Sequence, residues 1–170
     1  ANSVHHAVSP LADGSVITMS NFNVDVLEYP TSYAAPYTFA PATLQAASLV
    51  RFAADGLEVE SFPMETLLDT KRIGYDSLNV TSGGFEWTHG NAVFPDRFNG
   101  GYVASFRHQD AVIKLDDAGE LEWIVSNPSG WTSAHTPYLF TPVGVDFSWA
   151  YHQHAPEMVD ATTLLVFDNG

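Results

Sequence analysis

The chain is a succession of short runs rich in β-branched and aromatic residues, separated at close spacing by Gly, Asp, Asn and Pro. Such runs are typical of an all-β fold, in which short strands are joined by tight turns. Helical periodicity is confined to residues 64–69, directly after Pro63. The pattern therefore predicts an all-β protein and excludes a parallel α/β sheet. The predicted strands include residues 15–20, 47–52, 101–106, 111–115 and 163–167.

An internal repeat points to one architecture within the all-β class. Residues 49–56 and 112–119 both read as a strand, a basic residue, a further strand residue and an Asp-containing turn that ends at Gly. A histidine, a short strand, a turn and a second strand occur in this order three times, starting from His6, His89 and His154. Radial repetition of small antiparallel sheets is typical of a β-propeller, whose corresponding blade positions converge on a central channel. The repeat therefore predicts a β-propeller with these histidines close to the channel.

Composition excludes several classes of function. The chain has 170 residues, enough for one domain, and 6 basic against 20 acidic residues give a net charge of −14. Nucleic acids and anionic membrane surfaces are disfavoured as partners, because both are bound through clustered Lys and Arg. No apolar run approaches the roughly 20 residues that span a bilayer. With no Cys, the chain offers neither disulfides nor thiolate metal ligands nor a cysteine nucleophile.

Two proline-containing stretches, residues 28–43 and 127–143, show no strand pattern. We interpret both as long surface connections. The first is predicted to be an ordinary loop, with a wall or lid of the channel mouth as the alternative. The second precedes the last group of histidines, and we expect it to lie closer to the functional site.

Five of the seven histidines lie beside the starts of the repeated units: His5, His6, His89, His152 and His154. Three interpretations are open on sequence alone. The histidines can be hydrogen-bonded polar residues at the blade edges. His152 and His154 can offer two imidazoles on one side of a strand to a metal such as zinc, although no HExxH-type spacing or carboxylate partner accompanies them. The group can also provide a nucleophilic imidazole with helpers that bind a reacting anion.

Arg107 follows the predicted strand 101–106 and is one of only four Arg residues. A guanidinium is a planar fork of donors that matches the oxygens of phosphate or sulfate. Composition alone does not decide between two partners for Arg107. One is an anionic ligand, and the other is an ion pair with Asp110 or Asp116.

Several motifs together resemble one protein family. They are Trp-Thr-His-Gly-Asn-Ala-Val at 87–93, Ser-Phe-Arg-His-Gln-Asp-Ala-Val-Ile-Lys at 105–114, Gly-Glu-Leu-Glu-Trp-Ile at 119–124, Pro-Ser-Gly-Trp at 128–131, Thr-Pro-Val at 141–143, Phe-Ser-Trp at 147–149, Tyr-His-Gln-His at 151–154 and Phe-Asp-Asn-Gly at 167–170. His5 and His6, followed by Leu11 and Asp13, add an upstream segment. In order and spacing this set resembles bacterial aryl-sulfate-dependent arylsulfotransferases, most weakly over residues 28–79.

The resemblance implies a six-bladed β-propeller with its active site in the central channel. It implies transfer of a sulfuryl group from a phenolic sulfate ester to a phenol through a sulfohistidine intermediate, with neither a nucleotide donor nor another cofactor. A closed propeller of this family needs several hundred residues. We therefore expect residues 1–170 to be a partial propeller domain with about half of the blades, taken from a longer chain. Some relatives carry a disulfide in the insertion before the nucleophile, which this chain cannot form.

By the same resemblance, His154 is the nucleophile that becomes transiently sulfated. His89 and Arg107 would bind the sulfuryl oxygens, and His6 would be the remaining active-site histidine, with His5 as its alternative. Asn91 is expected to help orient the sulfuryl group, and no metal is assigned. The candidates for an apolar vestibule around the aryl groups, if they do not serve blade packing instead, are Trp131, Tyr138, Phe140, Phe147 and Trp149.

The expected partners are a phenolic sulfate donor and a phenol acceptor, with a homo-oligomer left open. An acidic exterior suits solubility in a saline or extracellular setting, and we expect a periplasmic or secreted protein. Two other functions stand as alternatives. One is a non-catalytic propeller of surface or assembly type derived from this family, and the other is a metal-dependent hydrolase that uses the histidines.

Overall fold

A computed structural model describes residues 4–170. Within them the chain forms twelve β-strands, a single helical turn α1 (Met64–Leu67) and two 3-10 turns (Arg107–Gln109 and Thr136–Tyr138). The strands are β1 (Val4–Pro10), β2 (Val16–Pro30), β3 (Phe39–Phe52), β4 (Glu58–Pro63), β5 (Val80–Thr81), β6 (Gly84–Glu86), β7 (Gly90–Pro95), β8 (Tyr102–Phe106), β9 (Ala111–Leu115), β10 (Leu121–Ser126), β11 (His154–Met158) and β12 (Leu164–Phe167). The prediction of an all-β fold is confirmed, and α1 falls inside the stretch 64–69 predicted to be helical. No helix within residues 4–170 is long and apolar enough to cross a membrane.

The strands form three sheets, of which the first two share one pairing order. β1, β2, β3 and β4 pair antiparallel in chain order, and β7, β8, β9 and β10 do the same. β11 and β12 form an antiparallel hairpin. The short β5–β6 hairpin joins the first sheet through parallel pairing of β6 with β3. The repeated segments 49–56 and 112–119 occupy equivalent places, each running from the third strand of a sheet into the turn before the fourth.

The first strands of the three sheets lie side by side, and contacts start to start and end to end show that they run in the same direction. Near their ends, Ser9 on β1 donates its hydroxyl hydrogen to the Val93 carbonyl on β7 (2.8 Å). The turn after β7 likewise contacts the turn after β11, through a hydrogen bond from the Asn99 amide to the Ala161 carbonyl (3.1 Å). The histidines before or at the starts of these strands therefore share the opposite end of the molecule.

The core lies between the sheets and is made of aliphatic and aromatic side chains. Ile17, Met19 and Phe106 are fully buried, as is Trp87 between β6 and β7. Burying a side chain of this kind contributes roughly 1.5–3 kcal/mol relative to leaving it exposed. The Trp87 indole N–H also donates to the carbonyl of Arg72 (2.9 Å), which ties the segment before β7 to the rest of the core.

The prediction that residues 28–43 form a loop is wrong for half of that segment. β2 continues to Pro30 and β3 begins at Phe39, so only residues 31–38 connect them. The prolines do not interrupt the pairing, because Pro30 ends β2 and Pro41 lies opposite a bulge in β2. This end of the hairpin is called the β2–β3 arm below. Residues 127–143, in contrast, are largely irregular, as predicted.

Gly119, in the turn between β9 and β10, packs against Phe62 on β4 and so joins the first two sheets. A substitution at Gly119 therefore tests this contact. Gly119 has φ +84°, and a Cβ there would lie 2.2 Å from the Phe62 ring on β4. Gly14 has the same φ, but no atom lies within 4 Å of its Cβ position. We expect Gly14→Ala to lower the free energy of unfolding by about 1–2 kcal/mol, the cost of a left-handed alanine. Gly119→Ala should cost an additional ~1–3 kcal/mol through overpacking.

Urea unfolding of the two variants measures this difference directly. Equal losses of stability in the Gly14 and Gly119 variants would show that the turn does not pack against Phe62.

Candidate active site

Six of the seven histidines gather around the starts of β1, β7 and β11, and we call these six with Arg107 the histidine cluster: His5, His6, His89, His108, His152 and His154. The His5 and His6 Nδ1 atoms lie 2.7 Å apart. The His6 ring centroid is 5.8 Å from that of His89, which is 4.6 Å from that of His108. The predicted residues His6, His89, Arg107 and His154 are thus brought to one end of three neighbouring strands.

Several residues of the cluster have positive φ angles, a backbone conformation that is uncommon for residues other than glycine. His6, His89 and His152 have φ values of 61°, 44° and 52°, and Ala155, directly after His154, has a φ of 46°. Histidine tolerates this left-handed region better than most residues, but the conformation still carries strain. β1, β7 and β11 each also have a register irregularity within their first residues. Such irregularities redirect side chains and are common beside active sites.

Glu86, three residues before His89, fixes the orientation of the His89 ring. The His89 Nδ1 lies 2.7 Å from the Glu86 carboxylate. A carboxylate accepts hydrogen bonds, so Nδ1 carries the hydrogen and Nε2 is left for another partner. Both side chains are about three-quarters buried, at 25% and 24% exposure, which strengthens this hydrogen bond relative to one at the surface.

His108 holds Arg107 in place. The buried His108 ring donates from Nδ1 to the Glu86 carbonyl (2.6 Å), so its Nε2 bears the lone pair. The Arg107 Nη1 lies 3.3 Å from that Nε2 and donates to it. The Arg107 guanidinium also lies 5.3 Å from the centroid of the Tyr75 ring.

Arg107 has no carboxylate within ion-pairing distance in the part of the chain that the structure describes. Asp110 instead accepts a hydrogen bond from the backbone N–H of His152 (2.9 Å), and Asp116 accepts from the N–H groups of its own turn, at Ala118 and Glu120. The alternative that Arg107 pairs with Asp110 or Asp116 is therefore wrong. A half-buried guanidinium without an acidic partner suits an anionic ligand.

The charge state of two members is set by their surroundings. Burial lowers the pKa of His108 below its usual 6.5, and the nearby His89 adds to this effect. His6 is on the exposed side of β1, but the imidazoles around it partly exclude water from its ring. This desolvation, followed by the charges of His5, His89 and His154, lowers the His6 pKa. Both rings are therefore neutral at neutral pH.

Protein stability should fall as the pH drops below about 6.5. His108 has a lowered pKa in the folded state, so the unfolded chain binds its proton first and acid favours unfolding. His108→Gln, whose amide can still donate to the Glu86 carbonyl, should flatten the dependence of the free energy of unfolding on pH between 7.5 and 5. Thermal unfolding across this range tests the expectation. A slope as steep as in the unmodified protein would contradict it.

Within residues 4–170, one group of three side chains has ligand atoms close enough together to hold a metal: those of Glu86, His89 and His108 lie within 4.8 Å of one another. Their hydrogen bonds do not suit a cation. The His108 Nδ1 is occupied by the Glu86 carbonyl, and Arg107 places a positive charge beside His108 Nε2. The arrangement favours an anion.

His152 and His154 do not form a chelating pair, which corrects the metal interpretation of the His-X-His motif. His152 precedes β11, and its ring stacks on Tyr75 with centroids 3.9 Å apart. The His154 Nδ1 lies 3.0 Å from the His152 carbonyl. Because a carbonyl only accepts, His154 is the Nδ1–H tautomer, and its lone pair is on Nε2. An imidazole fixed in this form has its nucleophilic nitrogen ready to react.

Asn91, expected to orient the reacting group, is buried and bonded to other protein groups. Its amide N–H donates to the Gln153 carbonyl (2.8 Å), and its Oδ1 accepts from the Ser105 hydroxyl. The structure thus places Asn91 as a link between β7 and the residue before His154. His5, the alternative to His6, lies against it in the same cluster.

A buried polar network behind the cluster holds the turn that carries Arg107. The Arg72 guanidinium donates to the carbonyl and the side-chain oxygen of Gln109 (2.6 and 2.9 Å). The Gln109 amide donates to the Trp87 carbonyl (2.7 Å), and the Ser77 hydroxyl lies 3.0 Å from the His108 carbonyl. Burial lowers the Arg72 pKa to about 10. The network fixes Arg107 relative to His89.

The roles of Glu86, His108, Tyr75 and this network are not predicted by the sequence motifs. Glu86 and His108 lie next to motif residues and could have been found from that proximity. Tyr75, Arg72 and Ser77 come from a segment without a recognisable pattern.

The aromatic residues proposed as a vestibule lie elsewhere. Phe140, Phe147 and Trp149 line a cleft of about 470 Å³ with Trp123 on β10 and with the turn after β11. That turn is at the end of β11 opposite His154. Trp131 stacks against the Arg72 guanidinium, at 4.2 Å from its ring centroid. These side chains pack against sheets and connections rather than around the histidine cluster.

Comparison with known proteins matches the chain to the family described as Arylsulfotransferase (ASST) over residues 1–170. The arylsulfate sulfotransferase AssT of Lelliottia amnigena is 29% identical over 100 residues, which cover 49% of this chain and 17% of that protein. The arylsulfate sulfotransferase AssT of Escherichia coli O6:H1 is 29% identical over 111 residues, covering 56% of this chain and 18% of the relative. The chain thus corresponds to less than a fifth of each relative's length. The match over residues 1–170 shows that the chain belongs to the arylsulfotransferase family.

Proposed function

We propose that this chain carries the active site of an enzyme that transfers a sulfuryl group from a phenolic sulfate ester to a phenol, without a nucleotide donor. The observation that carries the proposal is Arg107, a cation with no acidic partner among the described residues, set in a cluster of imidazoles. The cluster offers one fixed nucleophilic nitrogen, on His154, and donors for a tetrahedral anion. Family membership supports the same activity.

We propose further that the three sheets are consecutive blades of a six-bladed β-propeller. Two four-stranded antiparallel sheets in chain order and a third that begins with the same hairpin are the blade pattern of such folds. The first strand of each sheet, which bears or follows a histidine, would line the channel. The complete channel would enclose the histidine cluster from all sides.

In the first half-reaction, the His154 Nε2 lone pair attacks the sulfur of the aryl sulfate. An N–S bond forms as the bond from sulfur to the phenolic oxygen breaks, and the phenolate leaves with that electron pair. Charge is spread over the three remaining sulfuryl oxygens, much as in phosphoryl transfer, so positioning and fixed positive charge lower the barrier. Arg107 supplies the charge, and His89 and the neutral ring of His6 are the other groups that bind the sulfuryl oxygens.

We assign proton transfer to His89. Its Nδ1–H is bonded to the Glu86 carboxylate, which leaves Nε2 as the nitrogen that can carry a proton to or from the substrate. The protonated Nε2 gives its proton to the departing phenolate. In the second half-reaction the neutral His89 takes the proton from the acceptor phenol as its oxygen attacks sulfur. The N–S bond then breaks, and the electron pair returns to His154.

Steady-state kinetics of the complete protein test the activity. With a chromogenic aryl sulfate as donor, we expect a slow release of phenol that accelerates when a second phenol is added, and ping-pong kinetics between donor and acceptor. Release that depends on a metal, and that stops with a chelator, would favour a hydrolase. No release with any aryl sulfate would favour a non-catalytic protein of the same family.

We also propose a periplasmic or secreted location, supported by the net charge of −14, which suits solubility in a saline or extracellular setting. Cell fractionation with an antibody against the protein tests this directly, and recovery in the cytoplasmic fraction would contradict it.

A further inference from the structure

A cleft of about 320 Å³ adjoins the histidine cluster and is not explained by the chemistry at sulfur. It is lined by Tyr33, Tyr37, Ile73, Gly74, Tyr75 and Asp76, and we call it the tyrosine slot. Tyr33 and Tyr37 come from the connection at the tip of the β2–β3 arm, and the other four come from the segment after α1. The three tyrosine side chains are each about half exposed, at 53%, 52% and 47%.

The slot is directly connected to the cluster through Tyr75. One side of this ring is stacked on His152, and the Arg107 guanidinium lies 5.3 Å from its centroid. Gly74 is packed so tightly on the turn of Arg107 that a Cβ there would lie 2.2 Å from the His108 carbonyl oxygen. The floor of the slot and the anion-binding arginine are therefore parts of one packed unit.

The tip of the arm is also held in place. The Tyr33 hydroxyl accepts a hydrogen bond from the Leu78 backbone N–H (2.8 Å). Tyr29, fully buried, donates its hydroxyl hydrogen to the Ser77 carbonyl (2.7 Å). Lys71 forms an ion pair with Glu28. Because these contacts tie the arm to the segment 71–78, the slot has walls fixed before any ligand binds.

Exposed tyrosines around a preformed cleft suit a flat aromatic ligand. Offset-stacked or edge-on aromatic pairs are favourable beyond the area that they bury, and about 150 Å³ is enough for a benzene ring. Tyr37 forms no side-chain hydrogen bond within residues 4–170, so its ring is free to stack on a ligand. Asp76, half-buried at the slot, disfavours an anionic group there, so the sulfuryl end of a substrate would face Arg107 instead.

We infer that the tyrosine slot binds the aryl ring of the phenolic substrates, and this inference rests on the proposed function. One slot serves both half-reactions, since the donor's phenol leaves before the acceptor phenol enters. The ring lies between Tyr37 and Tyr75, and its oxygen reaches the sulfuryl group beside Arg107. The β2–β3 arm is then the element that selects among phenols by the size of their rings.

Binding of 4-nitrophenol to the complete protein with the His154→Asn replacement tests the slot without turnover. Tyr37→Ala in this background should weaken 4-nitrophenol binding about three- to tenfold, the loss of one aromatic contact. Tyr37→Phe, which keeps the ring, should bind as before. Phe98→Ala removes an aromatic side chain of the same exposure, 52%, from the turn after β7 at the opposite end, and should change nothing.

Kinetics provide the second readout. In the protein with His154 intact, Tyr37→Ala should raise KM for the aryl sulfate and for the phenol by the same factor, with kcat nearly unchanged. Unchanged 4-nitrophenol binding in Tyr37→Ala, or equal weakening in Phe98→Ala, would show that the tyrosine slot does not bind the aryl ring. Because the binding experiment does not depend on turnover, a slot that binds 4-nitrophenol in a protein without transferase activity would refute only the proposed function.

Discussion

Replacing His154 by Asn is expected to reduce aryl sulfate turnover by at least about 10³-fold. The Asn amide can keep the hydrogen bond that His154 Nδ1 donates to the His152 carbonyl, so the start of β11 should stay folded. What is lost is Nε2, the only atom of this residue with a lone pair for sulfur. The measurement is kcat/KM with a chromogenic aryl sulfate in the presence of saturating phenol.

The matched control is His135→Asn. His135 is the one histidine outside the cluster, and its Nε2 donates to the Leu67 carbonyl (3.1 Å). This variant should keep normal turnover. Turnover retained in His154→Asn, or lost equally in both variants, would contradict the assignment of the nucleophile.

Arg107→Ala is expected to lower kcat/KM by about 10²–10³-fold, the range seen when a charge-stabilising donor is removed from an active site. His108 loses the donor to its Nε2 as well, but it keeps its bond to the Glu86 carbonyl. Arg107→Lys retains the charge without the planar fork and should give an intermediate loss. Parallel measurement of thermal stability separates this effect from unfolding.

Arg97→Ala provides the control for charge, because Arg97 is exposed in the turn after β7 at the other end of the strand. Its removal should leave kcat/KM unchanged. If Arg107→Ala were as active as the Arg97 variant, the unpaired guanidinium would have no role in binding the sulfuryl group.

The sequence predicted the fold wherever short strands alternated with turn residues. Strands β8 and β9 are found within one residue of the predicted limits, and the Gly-ending turns at residues 56 and 119 occupy equivalent positions in two sheets. The strands of the β2–β3 arm are not predicted from the sequence, because prolines usually mark the ends of strands. Pairing across the long hairpin overcomes that local signal, since Pro41 lies opposite a bulge, where a residue without an N–H is tolerated.

Part of the candidate site was predictable because of the internal repeat. His6, His89 and His154 recur at one place in each repeat, so the repeat itself brings them together. Tyr75 and Arg72 act through contacts between segments far apart in the chain, which no local pattern encodes, whereas Glu86 and His108 lie beside motif residues. For the aromatic residues after β10, residue type alone leaves a substrate vestibule and blade packing both open, and the structure places Phe140, Phe147 and Trp149 beside Trp123 on β10.

The central claim is that His154 becomes sulfated, and peptide mass spectrometry tests it most directly. The complete protein is incubated with excess aryl sulfate and no acceptor, quenched under alkaline conditions that preserve an N–S bond, and digested. The account predicts one SO₃ group on the peptide that contains His154, absent from the His154→Asn protein and lost when phenol is added before the quench. An active protein that carries no SO₃ group, or carries it on another residue, would contradict the account.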